Sequence, residues 1–397
     1  MTRALIELPI PPDGTAGTAL PALLAAFEGG PAVAPTGPQN PAAAQVLDDR
    51  DDAADDPTVV VLGTSGSTGT AKQVLLQASA LRASAAATER QLGGPGSWLL
   101  TLPGWHVAGL QVMLRSRLAG SALVAMDTRT SFTAEGFIAS ARRLDGSRRY
   151  VSLVPTQLHR ILGHPAATDA LAGFDGVLVG GAATAPDLLS RARSRGVAVV
   201  TTYGMSETCG GCVYDGRPLD ITTVGLTEDG RVTLTGPMVA RGYRGQPTSA
   251  AFAVPGTFVT DDLGELSSAR LTVLGRADDT IITGGVNVPP AAVEHRLAGI
   301  AGIGEVIVVG VPDPEWGRRI VALVTGAVPD PQQITEALRG APPAHRPRTF
   351  RTVPALPTRG PGKPDRRAAS ALAGELLGLP SASGHPPSAA GRPVDRG

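Results

Sequence analysis

Thr64-Ser65-Gly66-Ser67-Thr68-Gly69-Thr70-Ala71-Lys72 is the stretch on which the reading of this chain turns. It follows Thr58-Val59-Val60-Val61-Leu62, a β-branched apolar run that reads as a buried strand. The nine residues hold five hydroxyls, two glycines and one ammonium. Such a loop can turn its N–H groups and hydroxyls onto phosphate oxygens, with Lys72 adding a full positive charge. It is not the phosphate loop of NTPases, where Gly and Lys are adjacent, because two residues separate Gly69 from Lys72. Taken alone the stretch reads equally well as a Ser/Gly/Thr surface turn, so its meaning rests on its surroundings.

On the C-terminal side, strands and helices alternate. The sequence predicts helices over 79–92 (opened by a capping serine), 107–118, 132–144, 156–162 and 185–194. Between them it predicts strands over 97–102, 122–126, 150–154, 176–179 and 197–201. That alternation implies an α/β domain with a mainly parallel sheet. On the N-terminal side, 1–47 reads as one apolar helix at 20–27 among Pro- and Gly-rich connections. The segment 48–56, with six Asp and one Arg, reads as a solvated acidic loop. From about 216 the style changes to short strands (231–235, 256–260, 271–274), an antiparallel β subdomain. Beyond 276, helices over 290–298 and 331–338 with strands over 305–309 and 320–324 predict a small α+β domain. The expected organisation is an N-terminal domain over 1–275, a C-terminal domain over 276–380 and a disordered tail over 381–397.

Composition narrows the function. With 397 residues, 35 basic and 35 acidic, the formal charge is zero, which argues against nucleic acid or an anionic membrane as partner. No apolar run is long enough to span a bilayer, and Pro9-Ile10-Pro11-Pro12 interrupts the N-terminus before a signal-peptide core, so a cytoplasmic protein is expected. The sequence leaves a homodimer open. Cys209 and Cys212, the only cysteines, lack the second ligand pair of a zinc site and the helix start of a redox motif, and read as ordinary thiols.

Ligands of parallel sheets lie beyond the carboxyl ends of the strands, and three segments fall there. Gly180-Gly181-Ala182 offers bare backbone for a flat ring. Tyr203-Gly204-Met205-Ser206-Glu207-Thr208 offers an aromatic face, a hydroxyl and a carboxylate able to hold Mg²⁺. Thr260-Asp261-Asp262 offers carboxylates suited to ribose hydroxyls. Singly each is a strand-ending turn; together with the Thr64–Lys72 loop they describe an ATP site. With Gly275-Arg276-Ala277-Asp278-Asp279 and Gly362-Lys363, this ordered set resembles the adenylate-forming superfamily of acyl-CoA synthetases, luciferases and adenylation domains.

The resemblance implies a large N-terminal domain, a mobile C-terminal domain and roles for named residues. Ser65, Ser67, Thr68, Gly69 and Lys72 would bind the β- and γ-phosphates, Gly181, Tyr203 and Gly204 the adenine, and Ser206 the α-phosphate. Glu207 would hold Mg²⁺, Asp262 the ribose, and Arg276 ribose and phosphate. Asp278 would be the hinge, Gly284 and Gly285 the lining of a thiol tunnel for coenzyme A, and Lys363 the catalytic lysine of adenylation. Ala71 stands where the family usually has Pro, and Asp261 where it often has Gly. The phosphate loop begins early in the chain, which suits a compact, small-acid enzyme.

Within the superfamily, 102–111, 150–158 and 203–220 look like the o-succinylbenzoate–CoA ligases of menaquinone biosynthesis in their short actinobacterial form. That branch implies ATP, o-succinylbenzoate and CoA as small-molecule substrates, and an acyl pocket near His106, Gln111, Arg115 and Thr156. A second, unreacting carboxylate on the acid calls for a counter-charge. Arg115 is the candidate, against the simpler reading that it faces solvent. Rivals are an acyl-CoA ligase or adenylase for another acid, a carrier-loading module without CoA chemistry, and an inactive nucleotide-binding protein.

Overall fold

β-Branched and leucine-rich runs too short for helices build three sheets in the first 278 residues. The computed structural model describes residues 3–37, 45–47, 51–64, 72–359 and 363–379. The phosphate-loop residues 65–71 and the tail from 380 lie outside them.

A seven-stranded sheet runs in the order Arg217–Pro218, Gly210–Tyr214, Val199–Met205, Gly176–Val179, Arg149–Leu153, Ser97–Leu100, Leu123–Ala125. The last five of these are parallel, with Trp98 beside Tyr150, Tyr150 beside Gly176 and Val199 beside Val177. Their carboxyl ends therefore share one edge of the sheet. Val59, Val60 and Leu62 are fully buried in a second, mixed sheet of six strands, Gly242–Tyr243, Gln73–Gln77, Thr58–Gly63, Ala32–Thr36, Arg3–Pro9 and Gln45–Leu47. The strand Thr58–Gly63 pairs antiparallel with Gln73–Gln77, so the loop between them is a hairpin connection, closed at its base by Thr64 N–H donating to Lys72 C=O at 2.8 Å. The third sheet is antiparallel, Thr223–Leu226, Arg231–Thr235, Thr257–Ser267 and Arg270–Arg276.

The chain divides into two compact units between Asp278 and Asp279. In the second, Ile303–Asp313 and Gly317–Gly326 form an antiparallel pair extended by the parallel strand Thr349–Thr352. The helices Pro290–Leu297, Pro331–Ala337 and Arg366–Leu376 and the hairpin Ile281–Thr283/Val286–Val288 complete it. The fold is mixed α/β, a large domain followed by a smaller C-terminal one.

Three local expectations are corrected. The helix Ala78–Gln91 has Gln77 at its N-cap with no side-chain cap bond; Ser79 instead bonds the Asp56 carboxylate at 2.7 Å. Asp51 is not a solvated loop residue: it is buried, 3.6 Å from Arg244, while Asp52 accepts the Thr58 N–H at 2.7 Å. The N-terminal segment is more regular than expected, because the strands Arg3–Pro9 and Ala32–Thr36 flank its helix Leu20–Phe27 in register.

Candidate active site

The shared edge of the parallel strands carries two of the segments singled out above, 180–182 and 203–208; Asp261 and Asp262, expected at a strand end, lie instead within the antiparallel strand Thr257–Ser267 of the third sheet, which runs on past Thr260 because it pairs with Arg270–Arg276. Ser97–Leu100 leads to His106, Arg149–Leu153 to Thr156, Gly176–Val179 to Gly181, and Val199–Met205 to Ser206 and Glu207. Close backbone approach dictates the small residues. A Cβ on Gly180 would lie 2.3 Å from the Thr202 hydroxyl, and one on Gly204 2.1 Å from the Gly210 carbonyl. Gly181, at φ 80°, sits in the left-handed region that suits glycine.

Two hydrogen-bonded pairs organise the polar groups. Tyr203 OH donates to Asp262 Oδ2 at 2.8 Å, so the expected base platform and the expected ribose acid are one unit. Burial raises the Asp262 pKa, and the Tyr203 bond works against that rise; burial and the adjacent carboxylate push the Tyr203 phenol up. Arg276 pairs in register with Asp262 across the antiparallel strands. Its guanidinium turns to Asp278, Nε–Oδ1 2.7 Å and Nη2–Oδ2 2.9 Å, and to Asp261 at 3.3 Å. Asp278, expected at a hinge, is thus tied to the strand Arg270–Arg276.

The second pair is Glu207 with Tyr243. Glu207 is 9 % exposed and its Oε1 accepts from Tyr243 OH at 2.8 Å. The Lys72 ammonium sits over the Tyr243 ring, 4.6 Å from its centroid. A single hard carboxylate suits Mg²⁺ carried in with a nucleotide, which keeps waters and phosphate oxygens as its other ligands. Among the described residues no group of three His, Cys, Asp or Glu could cage a metal. Ser65, Ser67, Thr68 and Gly69 lie outside the described residues, as does the side chain of Lys363, whose backbone pairs with Arg359.

Of the acyl-pocket candidates, His106 is exposed at the N-cap of the helix Val107–Leu118 and Thr156 is half-buried in the first turn of Pro155–Leu162. Gln111 and Arg115 are buried in the interior, and Arg115 lines only a crevice of about 10 Å³ beside Trp98 and Tyr150. The helix Val107–Leu118 is buried almost all round, from Gly109 to Ser116, so polar residues on it face protein. Gln111 is fully buried, and its Nε2 donates to the Cys209 carbonyl at 2.7 Å, which Ser84 also bonds at 2.9 Å. Arg115 lies nine residues beyond His106, roughly 13 Å along the helix at 1.5 Å per residue. There its guanidinium packs 5.4 Å from the Trp98 ring centroid, near the amino end of the strand Ser97–Leu100 and away from the site edge. It is 6 % exposed, so the solvent reading fails as well. Burial depresses its pKa, opposed by Tyr214.

Sequence reading missed Tyr243, Ser84 and Gln157, whose amide caps Val154 N–H at 3.0 Å and donates to the Thr101 carbonyl at 3.1 Å. The cysteines are buried and free; burial pushes the Cys212 thiol up to about 12, which leaves it inert. In the second unit, Gly284 (φ 54°) and Gly285 (φ 78°) make the two-residue turn of the hairpin, the left-handed pair a type I′ turn demands. Gly284 lines a cleft of about 300 Å³ with Trp316, Arg346 and Arg348, the Arg348 guanidinium lying 4.0 Å from the Trp316 ring centroid.

The family model described as AMP-binding enzyme matches residues 23–244, and that of the AMP-binding enzyme C-terminal domain matches 292–363. A probable 2-succinylbenzoate–CoA ligase of Mycobacterium tuberculosis is 45 % identical over 326 residues, covering 79 % of this chain and 84 % of the relative. The 2-succinylbenzoate–CoA ligase of Enterococcus faecalis is 31 % identical over 289 residues, 66 % of this chain and 59 % of the relative. The same fold occurs in E. coli MenE bound to a phenylether-linked analogue of OSB-AMS, with TM-score 0.72, 24 % identity, and 94 % and 88 % of the two chains covered. With both family models matched in order, the chain belongs to the AMP-binding enzymes.

Proposed function

We propose that this chain is an AMP-forming acid–thiol ligase that converts 2-succinylbenzoate to its CoA thioester through an acyl-adenylate, as menaquinone biosynthesis requires. The likeness to the mycobacterial ligase across most of both chains carries this reading. ATP, the acid and CoA are its small-molecule partners, and the cytoplasm is where they meet.

A succinyl carboxylate oxygen attacks the α-phosphorus of ATP, the bond to the bridging oxygen breaks, and pyrophosphate leaves. The CoA thiol then loses its proton to solvent as its sulfur attacks the acyl carbon, the carbon–oxygen bond breaks, and AMP leaves. Two anions meet in the first step, so position and positive charge are what the protein must supply. Bound Mg²⁺ would supply charge against the polyphosphate. Glu207 would hold it, Lys72 and the loop 64–72 the β- and γ-phosphates, and Ser206 the α-phosphate. Tyr203 and Gly181 would flank the base, while Asp262, ionised, accepts from the ribose hydroxyls and Arg276 supports it. Lys363 would meet the charge gathering between carboxylate and α-phosphate. In the second unit, Gly284 and Gly285 would border the thiol path, and the two guanidiniums and indole of the adjoining cleft suit a phosphorylated nucleotide such as that of CoA. His106 and Thr156 remain the acyl-side residues of this proposal; Gln111 and Arg115 leave it.

Pyrophosphate release across a panel of acids tests the reading. 2-Succinylbenzoate should exceed benzoate, succinate and long-chain fatty acids in kcat/KM; a fatty or amino acid in first place would overturn the acid assignment. Lys363→Ala should lose roughly 10²–10³ of that release, the usual effect of removing one preorganised donor. The same variant should still turn supplied acyl-adenylate and CoA into thioester.

A further inference from the structure

Two oppositely charged groups from distant parts of the chain, the Lys72 ammonium and the Glu207 carboxylate, meet on one phenol, that of Tyr243. Tyr243 pairs in register with Val74, two residues after Lys72, and the flanking Arg241 and Arg244 N–H groups bond the Leu75 and Gln73 carbonyls at 3.0 and 2.8 Å. The ring is 5 % exposed and packs edge-on to Phe252, centroids 5.1 Å apart at 83°. Its orientation is therefore fixed by backbone pairing and by a neighbouring ring. From that fixed position the hydroxyl takes Glu207 Oε1 at 2.8 Å and the face takes the Lys72 ammonium at 4.6 Å. The same segment also holds Glu207 by its backbone, through Ala240 N–H to the Glu207 carbonyl at 2.8 Å.

Lys72 and Glu207 carry opposite charges and flank the same side chain. In direct contact they would neutralise each other, and a nucleotide would have to break that pair before binding. We propose that Tyr243 is a positioning residue that keeps this lysine and this carboxylate apart and aimed, its hydroxyl fixing Glu207 for the metal and its face parking Lys72 for the phosphates. This rests on the roles given to Lys72 and Glu207 above. Tyr243 itself touches no substrate in this account.

The two contacts separate by substitution. Tyr243→Phe keeps the ring and loses the hydroxyl, while Tyr243→Leu loses both. The probes are α,β-methylene-ATP, which cannot be cleaved at the reacting bond, and Mn²⁺, whose free form is read by paramagnetic resonance. Tyr243→Phe should bind the analogue alone as the parent does, but its Mn²⁺ dissociation constant should rise about tenfold, the usual effect of losing a partner that orients a metal ligand. Tyr243→Leu should weaken analogue binding as well. In the Glu207→Gln background, adding Tyr243→Phe should change Mn²⁺ binding no further, because both act through one carboxylate. Parental Mn²⁺ affinity in folded Tyr243→Phe, or full additivity with Glu207→Gln, overturns the inference. If Glu207→Gln and Lys72→Ala also leave both affinities unchanged, the roles of those two residues fail instead.

Discussion

Asp262 sits between two opposing influences, burial that favours its neutral form and a phenol bond that favours the carboxylate. In the ribose role proposed for it, Asp262 must be the carboxylate to accept from the hydroxyls. ATP affinity should therefore be full above the Asp262 pKa and fall as pH drops through it, and the raised pKa places that loss above the usual aspartate range. Tyr203→Phe keeps the ring but removes the bond that lowers the pKa, so the acid limb of KM for ATP should move to higher pH; a pH–KM profile of the two proteins measures it. For stability the sign is the reverse of a salt-bridged aspartate. A folded pKa above the unfolded one contributes stability at low pH that is lost as pH rises through the folded value. Gln111 and Arg115 yield a second expectation. Gln111→Leu removes one of two donors from the Cys209 carbonyl, which keeps Ser84, and should lower stability by about 0.5–1.5 kcal/mol without changing KM for the acid. Arg115→Met should be neutral or stabilising in thermal denaturation, since a buried charge with little compensation is replaced by a side chain of similar reach.

The hairpin Ile281–Thr283/Val286–Val288 shows what a two-residue element demands. Both turn glycines are left-handed, but a Cβ on Gly284 would lie 2.7 Å from the Trp316 ring while one on Gly285 meets nothing within 4 Å. Gly285→Ala should cost the second unit only the backbone penalty, about 1–2 kcal/mol. Gly284→Ala should cost more and also disturb Trp316, seen as a change in tryptophan fluorescence. The same contrast explains what the sequence reveals. The helices Leu20–Phe27 and Val107–Leu118 are legible to the residue because apolar spacing and the turn residues around them are local signals. Glu207, just past the strand Val199–Met205, is legible for the same reason, whereas Asp262 lies within the strand Thr257–Ser267 that the sequence ends too early. Gln111 misleads because its partner is Cys209, 98 residues on, and no local pattern records that pairing. Tyr243 is invisible because a strand of two residues, Gly242–Tyr243, has no periodicity to read. The strands Arg3–Pro9 and Ala32–Thr36 escape notice because proline and short length mask their alternation, although pairing with each other orders both.

Across the whole chain, the division between units falls one peptide after the Arg276–Asp278 pair. If the two half-reactions require the units to reorient, Asp278→Pro should leave pyrophosphate release largely intact and depress thioester formation, because proline fixes φ there and restricts Ala277. Equal loss in both assays would place the pivot elsewhere. The pairing of Gly242 with Leu75 has a consequence for how the protein is made. The strand Gln73–Gln77 leaves the ribosome long before its outer neighbour exists. At about 5–20 residues per second, the interval is roughly 10–30 s. For that time the nascent sheet presents Val74, Leu75 and Leu76 along an open edge, the kind of surface that recruits a second nascent chain. Translation that stalls before Tyr243 therefore leaves an aggregation-prone edge, and capture of such stalled chains by chaperones that bind extended apolar segments should drop sharply once that strand has emerged.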